Sequence, residues 1–385
     1  MKAVDTGASW EELPSISVVI CTFNVASYVD RCLKSLFDAN FPKDKMEIIC
    51  ADDGSSDETL EVLMLARVNH PINIVSTGER LGRAKARNLG IERAAGDIVL
   101  CVDSDSEVDS EMLYHHAVHY RDPDCHWVAG KILQAGGSNV VSRCWETMPW
   151  IRIQKMDKDM IKRGLSWCPS GNVSFRAVCV KETLFDEKIR GHGEDVDLGW
   201  MMAKRGHKPV REEKAIIFHR RKTSLLELIP DMFSRGKSEV TIGTKYQSRL
   251  VDVAPSFVTS LIFLILLASF VSLFFWRSFL IAPIFLVEYV CTDFISYAAG
   301  HKTFGYYGYT GSSLRDKMAA WPIFFLLRVS FETGKIYEAF RTGRPKLLIK
   351  RVRYTDHTSK EPKLTLHSWT LITTIILALF YVIYM

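Results

Sequence analysis

The sequence predicts an α/β domain on a mostly parallel, doubly wound sheet, followed by a C-terminal helical membrane domain. Three observations carry this. Short β-rich runs alternate with amphipathic helical patterns through the first part of the chain. Uncharged apolar stretches long enough to cross a bilayer appear only beyond residue 250. Acidic and polar residues of the first part gather at strand ends, where open α/β sheets bind their ligands. The boundaries expected are 1–250 for the first domain, with its core at 14–225, and 251–385 for the second.

Taken in order, ISVVICT (16–22) precedes the helical pattern VASYVDRCLKSLFDA, and MEIICADD (46–53) precedes DETLEVLMLARV. INIVST (72–77) precedes GRAKARNLGIERAA, and DIVLCVD (97–103) precedes SEMLYHHAVHY. A strand followed by a helix and then another strand returns parallel in a right-handed crossover. A further apolar strand, AIIFHRRK, ends at His219.

The second domain opens with PSFVTSLIFLILLASFVSLFF (255–275), which has no charge and matches a hydrocarbon core of about 30 Å. The stretch 279–299 is as long but carries Glu288 and Asp293, which must face other helices, and 366–385 is a third span. AAWPIFFLLRVSF (319–331) is too short to cross and holds Arg328, so it reads as an interfacial helix. Residues 334–363 contain nine Lys and Arg against three acids, which puts that loop on the cytoplasmic side. The N-terminus, MKAVDTGASWEELP, shows no apolar signal segment, so the first domain is expected in the cytoplasm, with the protein anchored in a cell membrane.

A net charge of +5 over 385 residues, without Lys and Arg interleaved with aromatics in the first half, argues against nucleic-acid binding. Nine cysteines, an odd number without CxxC pairs and partly within apolar strands, point to free thiols in a reducing compartment.

Asp52 and Asp53 end the second strand, and Asp103 and Asp105 end the fourth. Residues i and i+2 of an extended backbone point the same way, so a D-x-D pair suits one divalent cation, Mg²⁺ or Mn²⁺, that also accepts diphosphate oxygens. In GHGEDVDLGW the glycines let the backbone approach a substrate, and Glu194 and Asp195 begin a helix. His219, at the end of its strand, is a candidate third metal ligand, and Arg220 and Arg221 are candidates to hold a diphosphate or an acceptor phosphate.

The ordered motifs VVICTFN, IICADDGSSDE, GRAKARNLG with DIVLCVDSDSEV, SGNVSFRAVCVKE and GHGEDVDLGW resemble the family-2 nucleotide-sugar glycosyltransferases of the GT-A fold, over residues 14–225. The resemblance implies an inverting, metal-dependent transfer from a UDP- or GDP-sugar. It implies that Thr22, with Asn24 beside it, meets the nucleotide and that Asp53 accepts from the base. Arg83 and Arg87 fall near the diphosphate, an ordinary surface charge being the alternative for Arg87. Asp103 and Asp105 fall on metal and ribose. Asp195 is the expected base, with Glu194 next in line, because an attacking hydroxyl must lose its proton. The Q-x-x-R-W signature of processive synthases is missing, which favours single-sugar transfer to a membrane lipid or lipid-linked saccharide. The rivals are a polyprenyl- or dolichyl-phosphate sugar synthase, whose acceptor needs no base, and a non-catalytic membrane scaffold, which should have lost some of these acids.

Overall fold

The computed structural model describes residues 9–146, 169–207, 209–252, 294 and 313–352. They fall into two compact units, the first running to Gly137 and from 169 to Arg221, the second comprising 138–146 and the described residues from Lys222 onward.

The first unit is built on an eight-stranded sheet. Its strands are β1 (Ile16–Thr22), β2 (Met46–Asp52), β3 (Ile72–Ser76), β4 (Ile98–Asp103), β5 (Ser106–Val108), β6 (Trp127–Ala135), β7 (Asn172–Arg176) and β8 (Pro209–Arg220). Their order is β3-β2-β1-β4-β7-β6-β8-β5. Adjacent positions of one strand serve opposite faces: Val18 and Ile20 join one apolar cluster while Val19 joins the other. Helices α1 (Val29–Phe37) and α4 (Met112–Ala117) cover the first face, and α3 (Arg83–Arg93), α6 (Ala177–Thr183) and α7 (Glu194–Lys204) cover the second; α2 is Thr59–Asn69 and α5 is Val140–Glu146. The i, i+3, i+4, i+7 spacing of Val29, Cys32, Leu33 and Leu36 gives α1 its buried stripe.

The helical connections make β1, β2, β3 and β4 parallel, as the sequence predicts. The remainder corrects the expectation of a mostly parallel sheet: β7 is antiparallel to both neighbours and β5 is antiparallel to β8, so the sheet is mixed. β5 follows β4 after residues 104 and 105 alone, yet it pairs with β8 at the edge of the sheet and not with β4.

Register sets the working edge. Thr22 pairs with Asp52 and Cys21 with Asp103, so the carboxyl ends of β1, β2 and β4 are level. Ser106 of β5 pairs with His219 of β8, which brings the histidine beside the acids that end β4.

The second unit contains α5, α8 (Leu225–Lys245) and α9 (Leu314–Arg341), with β9 (Leu250–Asp252) antiparallel to β10 (Lys350–Val352). Ser224 and Ser313 cap the long helices by accepting from the N–H of Leu226 and Asp316. Helices α8 and α9 meet closely because Gly236 faces the main chain of Phe331 and Gly334 that of Phe233. Cys144, Leu228, Met232, Phe324 and Leu327 form their shared apolar core.

The expected short interfacial helix at 319–331 is the middle of the 28-residue α9, and Arg328 is buried, 4.0 Å from Glu332 and over the Phe325 ring. The expected spans at 255–275, 279–299 and 366–385 lie outside the described residues. No helix among the described residues is long and apolar enough to cross a membrane.

Candidate active site

The fold brings Asp103, Asp105 and His219 together: one ligand atom from each lies within 4.8 Å of the others. His219 Nε2 is 3.2 Å from Asp105 Oδ1 and 3.8 Å from Asp103 Oδ2. His219 Nδ1 is 2.9 Å from the Arg220 carbonyl oxygen. A carbonyl only accepts, so Nδ1 donates to it, and Nε2, which faces the acids, is the nitrogen that would ligate a cation. Two carboxylates and an imidazole, all half-buried, are a donor set that fits Mg²⁺ or Mn²⁺ with room for water and phosphate oxygens.

Asp103 reaches this position because residue 171 is glycine. A Cβ at Gly171 would run into the Asp103 carboxylate, while the Gly171 carbonyl accepts from the Asp103 N–H at 3.3 Å. Nothing in SGNVSF as a sequence motif reveals this role.

Arg87 links the cluster to α7. Its Nη2 lies 3.3 Å from Asp103 Oδ1 and its Nη1 2.6 Å from Glu194 Oε1. Arg87 is buried, so it is not a surface charge, and Arg83 stands 3.8 Å from Glu194 at the start of α3. Burial by itself would raise the Glu194 carboxyl, but Arg83, Arg87 and His192 outweigh it and hold it below the ordinary carboxylate range. Glu194 is thereby an anion at 1% exposure, whereas Asp195, next to it, is half-exposed and accepts from the Val196 N–H at 2.8 Å. Gly193 precedes the pair with φ 93°, a left-handed conformation that glycine takes without strain and that starts α7 at this point.

Thr22, Asn24 and Asp53 occupy the neighbouring strand ends. Thr22 is buried and donates to Asp52 at 3.2 Å. Asp52 also accepts from the N–H and hydroxyl of Ser55, which shapes the DDGSS turn. Asp53 Oδ1 accepts from the N–H groups of Leu81 and Gly82 at 2.9 and 2.8 Å. Asn24 has φ 51° and its Oδ1 accepts from the Ser56 N–H at 2.8 Å. These four residues therefore hold the loops after β1, β2 and β3 against one another.

Arg220 lies with Nε 3.8 Å from Asp105 and its guanidinium 4.4 Å from the ring centre of Tyr28, an aromatic the sequence reading passed over. Arg221 points elsewhere, donating to the carbonyls of Gly136 and Gln134 at 2.8 and 3.4 Å. Of the arginine pair, only Arg220 borders the cluster.

Residues 17–182 match the family described as glycosyl transferase family 2. Within those residues the chain carries a domain of that family. Its family 2 domain is 31% identical over 121 residues to poly-β-1,6-N-acetyl-D-glucosamine synthase of Staphylococcus aureus strain COL, covering 31% of this chain and 29% of the relative. It is 35% identical over 99 residues to poly(ribitol-phosphate) β-N-acetylglucosaminyltransferase of S. aureus strain Mu50, covering 25% and 17%. The matches span less than a third of the length of these curated relatives. Among solved structures, the mannosyltransferase from Pyrobaculum calidifontis in complex with GDP-mannose and Mn²⁺ covers 88% of this chain and 91% of its own, at TM-score 0.55 and 16% identity. That likeness concerns fold, and with the family it makes the first unit a GT-A-like α/β domain.

Proposed function

We propose that this chain is an inverting, metal-dependent glycosyltransferase that moves a sugar from a UDP- or GDP-sugar to a hydroxyl of a lipid-linked acceptor at the cytoplasmic face of a membrane. The observation that carries the reading is the convergence of Asp103, Asp105 and His219, tied by Arg87 to the helix that presents Asp195. Mg²⁺ or Mn²⁺ held by those three side chains would bind the donor diphosphate and neutralise it as it leaves. The names of the curated relatives, and the GDP-mannose and Mn²⁺ of the structural neighbour, support this reading.

The chain's own residues divide the work. Arg220, with its face on Tyr28 and its Nε 3.8 Å from Asp105, borders the place where donor phosphate oxygens would sit. Arg87 keeps Asp103 aimed at the edge and holds Glu194 charged. Glu194 is thereby committed to arginine, so the base role falls to Asp195, half-exposed at the positive end of α7. Asp195 takes the proton from the acceptor hydroxyl as its oxygen attacks the sugar carbon. An ionised phosphate acceptor would give such a base nothing to do, which disfavours the polyprenyl-phosphate rival.

Membrane attachment rests on the three apolar stretches of the sequence and on the second unit's surface. Leu226, Leu314, Met318, Leu326 and Phe340 stand exposed on α8 and α9, as helices that rest on lipid require. A cysteine placed at Thr342 should resist membrane-impermeant reagents applied to sealed cells; labelling from outside would overturn the cytoplasmic placement.

The deciding experiment incubates the full chain in liposomes with UDP- and GDP-sugars, Mn²⁺ and a lipid extract, and measures nucleoside diphosphate release. Release is expected only with both the cation and the lipid. Absence of cation-dependent release from every donor sinks the reading, and a product whose sugar is linked through phosphate returns the rival.

A further inference from the structure

A second group of metal-binding side chains lies in the α/β unit, apart from Asp103, Asp105 and His219. His126 precedes β6, Cys179 lies on α6 and His207 follows α7. We propose that His126, Cys179 and His207 bind one Zn²⁺-class ion, which clasps these three segments together. One ring nitrogen from each histidine and the thiol sulfur lie within 4.8 Å of one another. The rings face each other with centroids 4.2 Å apart at 33°.

The main chain is fixed at both histidines without using their rings. The His126 carbonyl accepts from the Arg176 N–H at 2.8 Å. The His207 N–H donates to the Met202 carbonyl at 3.0 Å, and its own carbonyl accepts from Trp127 Nε1 at 3.3 Å. Cys179 is a free thiol at 8% exposure, while both imidazoles are half-buried, so an ion reaches the cluster from solvent and is held from inside by sulfur. Arg205, beside the cluster, is paired with Glu182 at 3.8 Å, which blunts its opposition to an incoming cation.

Ligand chemistry selects the metal. Two imidazoles and a thiolate suit Zn²⁺, Co²⁺ or Cu⁺, whereas the carboxylate-rich cluster suits Mg²⁺ or Mn²⁺, so the two sites choose different ions. On binding, the sulfur–hydrogen bond is replaced by a sulfur–metal bond and the proton leaves to solvent, with water in the fourth position. The ion would join the start of β6 and α6 to the chain leaving α7, the helix whose first residues are Glu194 and Asp195.

Co²⁺ reports on this directly, since only a thiolate ligand gives the near-ultraviolet sulfur-to-cobalt charge-transfer band. The full chain in detergent, stripped with chelator, is titrated with Co²⁺ and then with Zn²⁺. The expected result is a band that saturates at one equivalent, is displaced by Zn²⁺, vanishes in Cys179→Ser and needs at least about tenfold more Co²⁺ in His207→Asn. Because His207 sits in a half-exposed turn, its variant tests the site even where Cys179→Ser folds poorly. No band in the folded wild-type chain, or a band unchanged by either substitution, overturns the assignment.

Discussion

Asp105 and Asp53 both stand just past the end of a central strand, yet their surroundings have little in common. Asp53 is buried and its oxygens are engaged by the main-chain N–H groups of Leu81 and Gly82. Asp105 is half-buried and faces the His219 imidazole and the Arg220 guanidinium, with Asp103 in the same cluster. The interior behind them resembles the first case: His116 contacts Asn172 Oδ1 and Ser174 Oγ, both at 2.8 Å, in a buried network closed within the chain. A carboxylate or imidazole answered by uncharged main-chain and side-chain groups builds the fold. Acids gathered with an imidazole at a ligand-binding edge leave negative charge for a cation to answer.

The contrast breaks most visibly at Asp105. Asp105→Ala should lower transfer by about 10³-fold or more and abolish the Mn²⁺ dependence of donor binding, without unfolding the domain. Wild-type turnover in excess EDTA would contradict it. Next, Asp195→Asn should keep donor affinity and lower kcat by about 10² to 10⁴. A loss under about threefold, with the chemical step still limiting, removes Asp195 as base.

The interior side of the contrast concerns stability. Burial lowers His116 to about 4 against an ordinary 6.5, although the hydrogen bond to Asn172 opposes the shift. The folded chain therefore keeps His116 neutral where the unfolded chain already binds a proton. Its contribution is present above about pH 6.5 and is lost as pH falls through about 4, reaching about 3 kcal/mol at the acid end. Urea midpoints as high at about pH 4.5 as at about pH 7 would refute this. The smallest effect is expected for Asp53→Ala, which orphans two N–H groups and should cost about 1–3 kcal/mol. An unchanged urea midpoint would mean that water replaces the carboxylate, and the distinction between building and working acids would weaken.

The sequence made the parallel half of the sheet legible because β1 to β4 are continuous apolar runs, each followed by a helix period. It missed the antiparallel half for a physical reason. β7 reads Asn-Val-Ser-Phe-Arg, and its inward Asn172 and Ser174 look like turn residues until His116 and Tyr120 arrive to satisfy them. The cluster at β4 was legible as D-x-D, and its histidine as a strand end, but their meeting depends on β5 pairing with β8. Arg87 illustrates the limit of motif reading: its position on α3 was marked, while its burial between Asp103 and Glu194 depends on α7 folding over it. Residues 126, 179 and 207 share no period or motif, so only the folded chain brings them together.

Gly171 touches no ligand in the reading developed above, yet the acid of Asp103 occupies the space its missing side chain leaves. A single methyl group there would push the carboxylate off the edge while every acid, histidine and arginine remained in place. When copies of this domain are compared, residue 171 therefore belongs beside the acids it accommodates.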